Sequence, residues 1–283
     1  MREYRFVLVN VFAESHFGGN PLAVFPQAQG LDDADMQAIA RQFNLSETVF
    51  AFSAAEAAAA VRIFTPAQEL PLAGHPVIGC AWVLQQECGL PDDFVLKTRA
   101  KTVEICEREG RLQMGLRGYR QQRCAWSDAD VAAVLGAAAA DIAGGAYFVD
   151  SGSLQLLVSV TDRAVLARVK ADVSRLQALY RENPYGVTQD AAVYVWVEEG
   201  DSVYARLFYV QDHMILEDSG TGSACANLGA HFLAAKRFPI SKTVVQGDDM
   251  GRPNRLSLHV DDTQQIWVGG RVIPVGEGVF RLP

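Results

Sequence analysis

The chain opens on a short apolar run, Phe6 to Val11, and returns through Leu22 to Phe25. The loop between them, Glu14-Ser15-His16-Phe17-Gly18-Gly19-Asn20-Pro21, carries turn chemistry, so the two runs read as strands. Met36, Ile39, Ala40 and Phe43 then recur at helical spacing and predict a helix from Asp32 to Phe43, capped by Asp32 or Asp33. Thr48 to Phe52 and Val61 to Phe64 are further apolar strands, and Pro76 to Gln86 is a helix apolar on most of its faces. Phe94 to Thr98, Val103 to Arg108 and Arg111 to Leu116 read as a closing meander.

The same order recurs. Tyr147 to Gly152 parallels the opening strand and loop, Leu154 to Val160 the return, and Val173 to Glu182 the first helix. Ala192 to Val197 and Val203 to Tyr209 follow as strands, Gly220 to Lys236 as a long helix, and Ser257 to Val260 with Gln265 to Gly269 as the second meander. Between the halves, Tyr119 to Ala146 reads as a linker, with a helix Val131 to Ala140 capped within Trp126-Ser127-Asp128-Ala129-Asp130 and ended by Gly144-Gly145. Arg271 to Arg281 is a strand left over, expected to cross back to the first half. The expected domains are therefore residues 1–118 with about 271–283, and residues 119–270.

One device is written twice. Arg62-Ile63-Phe64 precedes Leu70-Pro71-Leu72-Ala73-Gly74-His75-Pro76, and Arg206-Leu207-Phe208 precedes Leu216-Glu217-Asp218-Ser219-Gly220-Thr221-Gly222-Ser223. Arg206 follows Arg62, and Asp218 follows Gly74, by the same 144 positions. The expectation is two similar halves closing around one site, with an anion held at two helix N-termini, His75 in one copy and Asp218 in the other.

A formal net charge of −8 gives no global attraction for nucleic acid or an anionic membrane surface. No apolar stretch approaches the ~18–20 residues of a membrane span, and the N-terminal run is too short for a signal peptide. The five cysteines contain no CxxC pair, which argues against zinc and for free thiols in a reducing cytoplasm.

Several residues are candidates for chemistry. Gly220 and Gly222 let backbone N–H groups approach a carboxylate or phosphate, with Ser219, Thr221 and Ser223 around them; the alternative is that Ser219 or Ser223 caps a helix. The segment lacks the lysine of a phosphate-binding loop and the spacing of a dinucleotide fingerprint. Pro76 at a first helical position would put His75 at the cap, as a neutral donor or acceptor or as a purely structural cap. Glu47, entering an apolar strand, would either be a solvated loop glutamate or gain the raised pKa of a general acid/base, and Asp190 holds its place in the second half. Asn20 and Asp150-Ser151-Gly152-Ser153 occupy matching loops that serve either substrate contact or the turn itself. His16, His213, His231 and His259 read as structural or surface groups, and Cys80 and Cys225 as buried inert thiols.

Taken together, Phe17-Gly18-Gly19-Asn20-Pro21-Leu22-Ala23-Val24, Asn44-Leu45-Ser46-Glu47-Thr48-Val49-Phe50, Arg62 to Pro66, Glu69 to Pro76 and Glu217 to Ala224 resemble the phenazine-biosynthesis (PhzF-like) isomerases of the diaminopimelate epimerase and proline racemase superfamily. The resemblance implies an α+β fold of two pseudo-symmetric domains, each a mostly antiparallel curled sheet around a central helix. It implies a cofactor-free, metal-free cytoplasmic isomerase, a homodimer, acting on a small carboxylate in the cleft between the domains. Glu47 would carry the proton, with His75 and Asp218 completing the catalytic set. Asn20, Gly74, Ser219, Gly220, Thr221, Gly222 and Ser223 would contact substrate. Superfamily epimerases use a cysteine ahead of each helix; the matching places here are Ala73 or Gly74 and Ser219. Ser219-Gly220 also stands where the family pattern has Pro-Ala or Pro-Val, so a looser turn is expected. A small-acid binding protein and an amino-acid racemase are the other readings.

Overall fold

The computed structural model describes residues 1–187 and 190–283. It divides into two compact units: Met1–Leu116 with Asn254–Ser257 and Trp267–Pro283, and Arg117–Pro253 with Leu258–Ile266. No helix among the described residues is long and apolar enough to cross a membrane.

In the first unit, β1 (Arg2–Val11) runs antiparallel to β2 (Asn20–Phe25) on one side and to the C-terminal strand Val272–Leu282 on the other. The turn into β2 needs Gly19, whose φ is +80° and whose missing Cβ would lie 2.7 Å from Ala13 Cβ and the Val11 carbonyl. Helix α1 (Asp33–Phe43) starts at an Asp32 capping box with Asp35 and stops at Asn44 in the left-handed region. Its Met36, Ile39 and Ala40 pack with Phe25, Phe50 and Phe64. Strand β3 (Glu47–Phe52) lies parallel to β2 and antiparallel to β4 (Ala59–Phe64), which pairs with the short β5 (Glu69–Leu70).

Helix α2 (Gly74–Cys88) is buried almost all round and packs on β1, β2, β3 and the strand Arg111–Leu116. It sits close because Gly79 has no side chain: a Cβ there would meet Leu22 Cδ2 at 2.5 Å and Val11 Cγ2 at 2.8 Å. Leu22 therefore faces α2. Its register partner Glu47 shares that face, whereas Phe50, an odd number of residues along β3, joins the α1 side. Strands β6 (Asp93–Lys97), β7 (Thr102–Arg108) and β8 (Arg111–Leu116) form the expected meander.

The second unit has β9 (Arg120–Arg123), α3 (Asp128–Leu135), β10 (Ile142–Asp150), β11 (Leu154–Val160), α4 (Arg163–Arg168) and α5 (Val173–Arg181). It continues with β12 (Ala192–Glu199), β13 (Ser202–Gln211), β14 (Met214–Asp218), α6 (Gly222–Ala234) and β15 (Ile240–Gln246). Helix α3 stops earlier than Gly144-Gly145: Gly136, at φ +66°, already ends it. Gly144 and Gly145 have φ +87° and +88° and lie inside β10, where the pairing with β11 shifts register, so they build a bulge instead of a helix stop. The strand β15 and the short α4, capped by Asp162, lie outside the sequence expectation.

The doubled device survives in the strands. Arg62 holds Glu69 through two bonds of 2.8 and 2.7 Å, and Arg206 holds Glu217 through two of 2.8 Å. Each guanidinium also lies over the phenylalanine two residues on, at 5.2 Å for Phe64 and 4.7 Å for Phe208. Beyond that point the 144-residue offset fails. Matching Glu69 to Glu217, and helix start Gly74 to Gly222, makes Leu70 the counterpart of Asp218 and Ser223 the counterpart of His75. The four extra residues in the second copy lengthen β13 and β14 ahead of the helix. Register corrects a second match: Phe50 faces Arg62 and Val195 faces Arg206, so Ala192, not Asp190, stands where Glu47 does.

Candidate active site

The first cluster is built by β2, β3 and the start of α2. Ala73 is the N-cap with no side-chain bond, so Gly74, His75 and Pro76 are the first three residues of α2, and His75 lies inside the helix, not at its cap. Pro76 is tolerated there because the first-turn N–H groups have no intrahelical partner. His75 is 4 % exposed, and its Nε2 stands 3.5 Å from Glu47 Oε2. Asn20, at the start of β2, accepts a bond of 3.1 Å from the Ser46 hydroxyl. Glu47, His75, Asn20 and Gly74 are thus gathered in one unit.

The Glu47 side chain is 16 % exposed, but its Oε2 is sealed from solvent and receives no hydrogen bond. Burial dominates and pushes the carboxyl up from 4.5 to about 7, while the neighbouring Ser46 hydroxyl pulls the other way. A carboxyl poised there exchanges protons readily near neutral pH.

The second cluster is the turn between β14 and α6. Thr221 is the N-cap of α6, and its hydroxyl donates to Asp218 Oδ2 at 2.5 Å, while the Gly220 N–H reaches Asp218 Oδ1 at 3.4 Å. Neither Ser219 nor Ser223 caps the helix. Gln246, at the end of β15 and 2 % exposed, staples this turn. Its amide donates to the Asp218 carbonyl at 2.8 Å and to Thr221 Oγ1 at 3.0 Å, and its oxygen accepts from the Thr221 N–H at 3.2 Å. Ser219, Gly220, Thr221 and Gly222 are buried, whereas Asp218 and Ser223 are half-buried and keep an open side. Thr221 therefore spends its hydroxyl on Asp218. Ser223 accepts a bond of 3.2 Å from Gln155 Nε2.

The remaining candidates fall elsewhere. Asp190 is exposed, and Asp150 pairs with Arg120 at 2.7 Å. His231 is packed by Tyr147 and Trp196, its pKa lowered by burial and then by Arg237. Cys80 and Cys225 are wholly buried; burial alone raises both thiols, Cys80 to about 12. Among the described residues no three His, Cys, Asp or Glu side chains gather as a metal site would need.

With this geometry in view, comparison with known proteins is decisive. Residues 9–278 match the model of the phenazine biosynthesis-like proteins, PhzC-PhzF. The chain belongs to that family. PhzC-PhzF relatives carry isomerase names: the chain is 42 % identical to the uncharacterised isomerase PM1503 of Pasteurella multocida, over 99 % of this chain and 95 % of that one. It is 30 % identical, over 89 % of each, to a trans-2,3-dihydro-3-hydroxyanthranilate isomerase of Pseudomonas aeruginosa. The crystal structure of a PhzF-family protein of Bacillus anthracis superposes with a TM-score of 0.86 at 22 % identity, covering all of both chains. The expected α+β, epimerase-like fold is the one found, and the chain is an isomerase of the PhzC-PhzF family.

Gln246, Gln155, Asn227 and Ser46 escaped the sequence reading. Only Ser46 left a signal, its place beside Glu47. The amides are single polar residues in apolar strands and a helix, and their burial at 0–4 % exposure appears only in the fold.

Proposed function

We propose that the chain shifts a proton between carbon atoms of a small carboxylic acid, with Glu47 as the general acid/base. The observation that carries this reading is the sealed, unbonded Glu47 Oε2, 3.5 Å from His75 Nε2, on a carboxyl raised to about 7. Ionised Glu47 takes a proton from carbon, and the electron pair left behind spreads into adjacent unsaturation. Glu47, now a carboxylic acid, returns that proton to another carbon. Substrate and product have the same composition, and nothing is oxidised or reduced. His75 and Asp218 hold the polar groups on which charge develops, and the backbone N–H groups at Gly74 and at Gly220 to Ser223 suit a carboxylate.

The name of the Pseudomonas aeruginosa relative supplies the first compound to try, trans-2,3-dihydro-3-hydroxyanthranilate. The two-cysteine racemase route lacks support: Ala73 and Thr221 cap the two helices, and Cys80 and Cys225 are buried inert thiols. The test is turnover of that acid in heavy water. Glu47→Gln should lose about 10²–10⁴ in rate and abolish deuterium uptake at carbon. Undiminished exchange in the variant would overturn the assignment.

A further inference from the structure

Asn227 of α6 is wholly buried, and Gln155 of β11 is 4 % exposed. Their side chains form one chain of hydrogen bonds whose direction is set by backbone groups at its far end. The Ser151 N–H, which can only donate, reaches Asn227 Oδ1 at 2.8 Å. The Val149 and Ser153 carbonyls, which can only accept, lie 3.0 and 2.8 Å from Asn227 Nδ2. The Asn227 amide therefore has one orientation. Its nitrogen shares two protons among three acceptors, the third being Gln155 Oε1; a Gln155 NH2 in that place would face another donor, so the Gln155 amide is oriented in turn. Gln155 Nε2 then points its two protons at Ser153 Oγ, 3.1 Å away, and Ser223 Oγ, 3.2 Å away.

We infer that Gln155, oriented by Asn227, is a positioning residue that makes the Ser223 and Ser153 hydroxyls donors toward a ligand carboxylate. Each hydroxyl has one proton, and an oxygen already accepting from Gln155 directs that proton away from it. Among the described residues Ser223 has no second hydrogen-bond partner, and both serines are half-buried, with an open side. Two hydroxyls committed as donors favour an anionic oxygen over a ligand's N–H or O–H. That is a specificity device. The inference rests on the reading of Ser223 as a substrate contact, and names what makes the contact selective.

Two measurements test it. Neutron diffraction from deuterium-exchanged crystals of the full chain should show both Gln155 Nε2 deuterons on the serine oxygens and the Ser223 deuteron turned away from Gln155. A Ser223 deuteron lying toward Gln155 would overturn the inference, with or without an active enzyme. The second is a double-mutant cycle on KM for trans-2,3-dihydro-3-hydroxyanthranilate. Gln155→Glu keeps the acceptor that Asn227 needs but forces the serines to donate inward. It should raise KM about ten-fold with kcat little changed. Ser223→Ala should cost about as much in the parent and almost nothing further in the Gln155→Glu background. Additive losses would mean that Gln155 acts through charge or folding and would sink the role assigned to it. Failure of the proposed function looks different: Glu47→Gln would then leave exchange untouched, while the neutron result still decides the direction of the serine protons.

Discussion

Glu47 Oε2 and His75 Nε2 stand 3.5 Å apart, longer than an ordinary N–H···O bond, and both atoms are buried. A tighter pair would fix the carboxylate as an ion and depress its basicity. This spacing leaves burial in charge, and burial raises the carboxyl to about 7. The strand β3 and the first turn of α2 thus bring together two side chains whose separation suits proton transfer better than stability.

The pH dependence of turnover follows. The first step needs ionised Glu47, so kcat/KM should rise with unit slope as pH climbs through about 7 and level off above it. The check is an initial-rate profile between pH 5 and 9, on roughly the span where a lone carboxyl near 7 titrates. A limb at the ordinary carboxylate value near 4.5 would remove Glu47 from the base role.

Stability should run the other way. Folded Glu47 holds its proton up to about 7, whereas the unfolded chain releases it near 4.5, so between these values the folded state binds more protons. Stability from this group is then fully present below 4.5 and is lost as pH rises through 7. At about 1.4 kcal/mol per unit the loss is on the order of 3 kcal/mol at most. Glu47→Gln, neutral throughout, should melt higher than the parent at pH 8 and about equally at pH 4.5, as read by calorimetry.

Much of this was legible in the chain, and the gaps have physical causes. The helix cap by Asp32 or Asp33 and the Arg-x-Phe strands rest on local chemistry, and the structure has the cap at Asp32 and both strands. Gly144-Gly145 misled because two left-handed glycines look alike whether they end a helix or make a bulge; only the partner strand β11 tells them apart. The 144-residue offset misled because β13 and β14 are longer than β4 and β5, and strand length depends on pairing, not on motif. Asp218 therefore ends a strand, with Thr221 rather than Ser219 or Ser223 at the helix cap. Gln155 and Asn227 lie 72 positions apart, and no local pattern announces two buried amides that meet only after folding.

Gln246 offers a test of the second cluster. Replacing it by leucine leaves the buried Thr221 N–H without its acceptor and removes the amide that binds the Asp218 carbonyl. A buried N–H so orphaned costs about 1–3 kcal/mol. The turn should loosen, so Gln246→Leu is expected to lower kcat/KM about ten-fold or more and to speed amide exchange from Gly220 to Ser223. Thr221→Val, which removes the hydroxyl from Asp218 but keeps the helix cap backbone, should lower activity with a smaller change in exchange.

The two arginine–glutamate pairs look equivalent, but their surroundings predict unequal consequences. Without Arg62, Glu69 still meets Arg99 at 2.6 Å, so its charge stays compensated. Without Arg206, Glu217 loses the only cation paired with it among the described residues. The Leu166, Ala167 and Val169 carbonyls at the end of α4 also lose the Nη1 that binds them at 3.1, 3.1 and 3.4 Å. Stranding a largely buried carboxylate and three helix-terminal acceptors costs about 3–5 kcal/mol, whereas removing one of two partners costs about 1. Arg206→Met should therefore sharply raise amide exchange across β13 and β14. Arg62→Met should leave exchange across β4 nearly unchanged. Equal effects would mean that Arg99 does not hold Glu69 in solution, and the difference between the two copies of the device would then lie elsewhere.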